Sequence, residues 1–180
     1  MNIKFNCQHC GKCCTNLINR DSHGDIGLMI LPHEKDLFDK STIRPCMGFD
    51  NYLYSGFNPS YIESYQLSVN TCPHLTSDHR CEIYDKRPTV CRTFPLVIQY
   101  PKSKFPAIES RCTYISRIPK LGSDSSGVFK GEETHYYEML LKPLVDAFNR
   151  YSSISFYNLR TNSWGPKIPI IDKMRSRYVR

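Results

Sequence analysis

No aliphatic run in this 180-residue chain extends beyond a few residues, and Leu96-Val97-Ile98 is typical of the longest. A bilayer-crossing helix needs about 20 consecutive apolar residues, so no membrane span is expected. The opening Met1-Asn2-Ile3-Lys4-Phe5-Asn6-Cys7 lacks both the apolar core and the small-residue cleavage site of a signal peptide. A cytoplasmic location is therefore the expectation. Also missing are a Ser/His/Asp order, a paired-carboxylate motif, a P-loop and a dinucleotide fingerprint. Enzyme chemistry of these kinds has no residues to carry it. With 40% hydrophobic residues and a mean hydropathy of −0.46, the chain has no surplus of core formers, and no repeat or low-complexity tract marks a second compact unit.

What the chain has instead is cysteine, nine residues of it. Cytosolic glutathione and thioredoxin keep thiols reduced, which makes metal ligation a better reading than disulfides. Cys46, isolated between Pro45 and Met47, is the outsider, a small apolar side chain by default. The other eight fall into two groups. Cys7-Gln8-His9-Cys10-Gly11-Lys12-Cys13-Cys14 contains the C-x-x-C step twice, and that step lets two thiolates face one ion while loop amides face the sulfurs. Three thiolates at this spacing are similar to the bacterial ferredoxin run, with Cys72-Pro73 a candidate fourth ligand. Neighbouring side chains usually diverge, so Cys13 and Cys14 are expected to serve different metal atoms. Cys72, Cys81, Cys91 and Cys112 form the second group.

Local signals place these residues. Leu31 to Phe38 is expected to hold a short helix opened by Pro32, and Arg44 to Tyr61 is expected to be irregular. Cys72 to Tyr84 reads as two short arms around the turn Thr76-Ser77-Asp78-His79, which should set Cys72 opposite Cys81. Lys86 to Arg92 resembles one helical turn started at Pro88. Leu96 to Tyr100 and Phe105 to Ile108 form a predicted hairpin across Pro101-Lys102-Ser103-Lys104, bringing Cys112 back towards Cys91. Lys120 to Gly127 reads as a connector. Tyr137, Leu141, Leu144 and Phe148 recur at helical spacing and predict a helix over about 132–151, kinked or interrupted at Pro143.

Read with its context, Cys7-x-x-Cys10-x-x-Cys13-Cys14, then Cys72-Pro73-x-Leu75, then Cys81-x-Ile83-Tyr84-x-x-Arg87-Pro88-x-x-Cys91-Arg92-x-Phe94-Pro95, resembles the YkgJ-like cysteine-cluster family. The resemblance covers roughly residues 5 to 112 and implies a zinc- or iron-chelating domain. A similar cluster occurs in the considerably longer flagellin lysine N-methylases, which makes a group-transfer enzyme the alternative reading. Among the family-like positions, Arg87 and Arg92 flank Cys91 and suit hydrogen bonds to thiolates, with a surface ion pair the competing role. Tyr84 and Phe94 are expected to cover the site. His9, His74 and His79 lie beside cysteines and could replace a thiolate.

The fold expected is α+β: a small irregular metal-centred domain of short hairpins and helices over 1–115, then an extension over 116–180 with a helix and a basic tail packed on the same domain. The metal is zinc in four-thiolate sites or an iron–sulfur cluster, the doubled C-x-x-C leaning to the latter. The chain would then act as a structural, electron-transfer or metal-handling module of a larger complex. The formal charge of +7 argues only weakly for nucleic acid, because eight thiolates holding two dipositive centres would remove four of those charges. Arg160, Lys167, Lys173, Arg175, Arg177 and Arg180, opposed by Asp172 alone, form the basic tail, a more natural dock for a protein partner.

Overall fold

A computed structural model describes residues 5–21, 24–52, 58–98, 106–118 and 129–171. Among these described residues, ten strands and two α-helices follow in chain order: β1 (Asn19–Asp21), β2 (Gly24–Ile26), β3 (Met29–Ile30), β4 (Ile43–Asp50), β5 (Tyr61–Leu67), α1 (Thr89–Thr93), β6 (Leu96–Val97), β7 (Ala107–Ile108), α2 (Glu132–Arg150), β8 (Ser153–Asn158), β9 (Ser163–Trp164) and β10 (Ile168–Pro169). The class is α+β, as expected. No helix among the described residues is long and apolar enough to cross a membrane.

The chain divides into two units that interleave in sequence. Unit 1 takes Met1–Asn16 and Thr71–Leu141, and unit 2 takes Leu17–Asn70 and Lys142–Arg180. All eight framework cysteines therefore belong to unit 1, and Cys46 belongs to unit 2.

Unit 1 is loop-rich. Its regular parts are α1, which follows Pro88 and stops before Pro95, and the antiparallel pair β6–β7, with Leu96 opposite Ile108. The predicted hairpin arms are thus paired, while its turn at Ser103 lies outside the described residues, as does the 120–127 connector. Leu96, Cys112, Ile115, Phe129 and Tyr137 form the buried core, with Phe5, Phe94, Tyr114 and Leu141 packed against it. Phe5 meets Phe94 and Tyr114 edge-on at 6.1 and 5.4 Å between ring centres. Helix α2 is capped by its own sequence, since the Glu133 carboxylate accepts a hydrogen bond from the Gly131 amide at 3.0 Å. It runs unbroken through Pro143.

Unit 2 is built on an antiparallel sheet in the order β10-β8-β4-β5-β3, with β9 paired to β8. Residues 44–61 therefore hold most of a central strand rather than irregular chain. The alternation that marks a strand is missing because β4 is buried on both faces over Cys46–Asp50, and its register against β5 shifts at Met47. The segment 31–38 does hold a short helix, a 3-10 helix over Pro32–Leu37, and the Leu31 amide donates to the Glu34 carboxylate at 3.1 Å.

Fully buried Gln66 ties three segments together: its amide nitrogen donates to the carbonyls of Pro45 (2.6 Å) and Tyr157 (2.9 Å), and its oxygen accepts from the Gly27 amide (2.6 Å). Gly27 must be glycine, because a Cβ there would stand 1.8 Å from the Leu67 carbonyl oxygen. Phe49, Phe148 and Tyr151 pack on one another, the first pair edge-on at 5.3 Å and Phe49 with Tyr151 stacked at 5.6 Å.

Two of the six cations assigned to the basic tail are committed inside unit 2. Lys167 donates to Asp50 at 2.7 Å with both side chains nearly excluded from water, and Arg160 donates to Asp25 at 2.6 Å. The other four lie outside the described residues.

Candidate metal centre

The first cysteine loop turns at Gly11, whose φ of +66° is open to glycine and strained for other residues. The turn leads into a 3-10 helix over Lys12–Cys14, closed by the Cys14 amide donating to the Gly11 carbonyl at 2.9 Å. That tight turn sets the Cys13 and Cys14 sulfurs 3.8 Å apart. Adjacent side chains were expected to diverge, and a strand sends them to opposite faces, but a 3-10 turn separates them by only about 120°, which lets the two sulfurs approach. The two thiols therefore stand as a pair.

The second loop is stapled onto the first. Thr15 bridges Thr71, and the Cys72 amide donates to the Cys14 carbonyl at 2.8 Å, which brings the Cys72 thiol within hydrogen-bonding reach of Cys14. The predicted turn is present, with the Thr76 amide donating to the Arg80 carbonyl at 2.9 Å. Its register is shifted, however: Cys81 pairs with Leu75 rather than Cys72. Cys91 lies within α1, and Cys112 closes a turn in which its amide donates to the Glu109 carbonyl at 3.3 Å.

Electrostatics show how closely these thiols gather. The charge of Cys13 acts on Cys10, Cys81, Cys91 and Cys112, and Cys13 itself is hydrogen-bonded to Cys14 and feels the charge of Cys72. Six of the other seven framework thiols thus interact with Cys13, while Cys7 lines a cavity with Tyr84, Arg87 and Arg92. The hydrogen bond from Cys14 pulls the Cys13 thiol down to about 7, and a bond from the same thiol pulls Cys72 down to about 6, in both cases against burial. Cys14, hydrogen-bonded to both, is driven strongly upward. For Cys10 burial opposes ionisation, but the Thr113 hydroxyl and backbone amides outweigh it, and its pKa falls. Burial raises Cys81, Cys91 and Cys112. All nine cysteines are free thiols. Cys46 stands apart within β4, pushed up to about 12 by complete burial.

The flanking residues divide by role. Arg92 is fully engaged in the protein: its guanidinium donates to the Arg87 carbonyl at 3.0 Å, the Tyr136 hydroxyl at 2.9 Å and the Asp85 carbonyl. Arg87 instead stacks over Tyr84, 4.0 Å from the ring centre, and its charge acts on Cys13, Cys81 and Cys91. Phe94 packs in the unit's core beside Phe5. His9 lies against Tyr84, His74 pairs with Glu82 at 3.2 Å, and His79 lies beneath Gly11. Thr113 was not singled out from the sequence, although a hydroxyl next to Cys112 was the available signal.

Whether these residues suit a thiolate-bound metal is tested by the donor set and its surroundings. Among the described residues, buried Arg87 Nε has no hydrogen-bond partner, so a donor whose charge reaches the thiols lacks the acceptor that ligated sulfur would provide. The 3.8 Å between Cys13 and Cys14 equals the edge of a tetrahedron whose metal–sulfur distance is about 2.3 Å. Among the described residues, no three His, Cys, Asp or Glu side chains converge as a finished coordination shell. The chemistry fits a soft ion, and closing the shell would require side-chain rotations.

No curated protein and no solved structure matches the chain significantly. A family profile described as "CxxCxxCC: Putative zinc- or iron-chelating domain" matches residues 6–113, which include all eight thiols and both flanking arginines. Since that match spans more than half of the sequence, the chain belongs to the CxxCxxCC zinc- or iron-chelating family.

Proposed function

We propose that this chain is a metal-binding module that holds its ion through thiolates drawn from Cys7, Cys10, Cys13, Cys14, Cys72, Cys81, Cys91 and Cys112. The observation that carries the reading is that thiols from the first loop, the 72–81 turn, α1 and the Cys112 turn all interact electrostatically with Cys13, within one unit whose regular structure is sparse. Of the two cofactors that suit such ligands, the 3.8 Å spacing of Cys13 and Cys14 favours a single tetrahedral ion. Thiolates on different irons of a cluster stand farther apart. A four-thiolate zinc site contributes folding free energy on the order of 10 kcal/mol in small domains, which answers the scarcity of core in unit 1. The role is structural or metal-handling, as a subunit of a larger assembly in a reducing compartment.

Anaerobic purification followed by elemental analysis, sulfide determination and an absorption spectrum tests this. Zinc in stoichiometric amount with a featureless visible spectrum is the expected result. Iron with acid-labile sulfide would replace the single ion by a cluster. Free thiols without metal in a folded chain would end the metal-binding reading altogether.

A further inference from the structure

Three histidines lie beside cysteines in the sequence, and the fold places them differently. His9 and His79 are exposed, whereas the His74 side chain is only 20% exposed and is held by a carboxylate. Its Nδ1 stands 3.2 Å from Glu82 Oε2, and the Glu82 amide donates to the His74 carbonyl at 2.9 Å, so the turn that carries Cys72 and Cys81 also fixes this pair. An ionised carboxylate only accepts, so Nδ1 carries the hydrogen, and in the neutral ring the lone pair belongs to Nε2. The two ring nitrogens face apart. Glu82 is 66% exposed while the ring is largely covered, so the direction away from the carboxylate leads into the unit.

The nearest thiol is that of Cys72. The His74 amide is hydrogen-bonded to the Cys72 sulfur, and the Leu75 amide donates to the Cys72 carbonyl at 3.1 Å, a turn that folds residue 74 back towards the thiol. The imidazole is close enough for its charge to act on Cys72 as well. Cys72 is in turn hydrogen-bonded to Cys14, whose sulfur is 3.8 Å from that of Cys13. Three neighbouring thiols and one imidazole are the donors of a three-cysteine, one-histidine zinc site, and a ligating histidine is commonly oriented by a carboxylate on its other nitrogen. Around a dipositive ion this set leaves one negative charge instead of the two left by four thiolates. Arg87, whose charge acts on Cys13, supplies one positive charge beside it.

We propose that His74 is a ligand of the metal centre, binding the ion through Nε2 beside the thiolates of Cys13, Cys14 and Cys72, and that Glu82 is its positioning residue. The proposal rests on the single-ion reading of the centre and names the fourth ligand of that ion.

X-ray absorption at the zinc edge of the anaerobically purified full chain, carrying the metal it is isolated with, tests this. The expected shell is three sulfurs at about 2.3 Å and one nitrogen at about 2.0 Å. In competition with a chromophoric chelator, His74→Gln should weaken zinc retention by about tenfold or more, and Glu82→Gln by about tenfold, the effect usual for a carboxylate behind a ligating histidine. His74→Cys should restore retention with a shell of four sulfurs, which a role confined to the Glu82 pair would not produce. Four sulfurs and no nitrogen in the parent chain, or an unchanged zinc-edge spectrum in His74→Gln, would overturn the proposal and leave the metal-binding reading intact. Isolation without metal, or with iron and acid-labile sulfide, would overturn it together with the single-ion reading.

Discussion

Lys167→Ala is the most sensitive test of how unit 2 is held together. Its ammonium lies 2.7 Å from the Asp50 carboxylate, with side chains 6% and 7% exposed, and it reaches the Tyr52 carbonyl at 3.3 Å. Asp50 keeps two other donors, the Tyr52 amide at 3.2 Å and the Ser60 hydroxyl at 3.3 Å, but neither carries charge. Truncating the lysine leaves a carboxylate buried without a counter-ion, which costs about 3–5 kcal/mol. Taking a urea slope of about 2 kcal/mol/M, the midpoint should fall by about 1.5–2.5 M. The assay is urea unfolding followed by fluorescence of Trp164, the sole tryptophan, which lies in the same unit three residues away.

The pH dependence has a definite sign. The Lys167 bond holds Asp50 below the usual carboxylate range, so its contribution is present above the unfolded pKa of about 3.9 and is lost as pH falls through the folded value. Lys167→Ala should abolish that acid-side loss. Combining Asp50→Asn with Lys167→Met should recover most of the stability, because no charge is then left buried. A midpoint shift below about 0.5 M for Lys167→Ala would show that the pair is hydrated and that the reasoning from burial is wrong.

Further expectations concern both units. Glu63, buried in β5 near Asp146 and Arg150, is raised to about 7, chiefly by burial. Its contribution to stability is full below about pH 4.3 and is lost as pH rises through 7, by at most about 4 kcal/mol, so Glu63→Gln should flatten the pH profile of the urea midpoint over that window. Gln66→Leu strands two carbonyls and the Gly27 amide and should cost about 3–5 kcal/mol; a near-neutral outcome in the same unfolding assay would mean that water replaces the amide. Cys72→Ser should lower the metal content of anaerobically isolated protein, whereas Cys46→Ser should leave it unchanged; equal losses would refute the separation of Cys46 from the other eight. Arg92→Ala removes three internal hydrogen bonds and is expected to lower thermal stability by about 2–4 kcal/mol. Metal loss without destabilisation would instead place Arg92 at the thiolates.

The sequence alone was enough for the family and for the local scaffolding of its cysteines. Doubled C-x-x-C spacing, glycine at a left-handed turn and proline at the start of α1 are short-range signals, and each acts within a few residues of the feature it produces. The apolar period of α2 is local in the same sense, and the helix spans Glu132–Arg150 as the spacing of Tyr137, Leu141, Leu144 and Phe148 implied. Other features depend on distant chain. Strand β4 was illegible because burial on both faces erases alternation, and only the return of β8 more than a hundred residues later makes that burial possible. Lys167 and Arg160 read as tail charges, since their partners Asp50 and Asp25 lie 117 and 135 positions away. Likewise, the convergence of the Cys13 and Cys14 sulfurs depends on the 3-10 turn that follows Gly11, where a strand would have sent them to opposite faces. Spacing determines which side chains are available to a site. Long-range pairing decides which of them meet, because the free energy that fixes it comes from burial shared between segments that are remote in sequence.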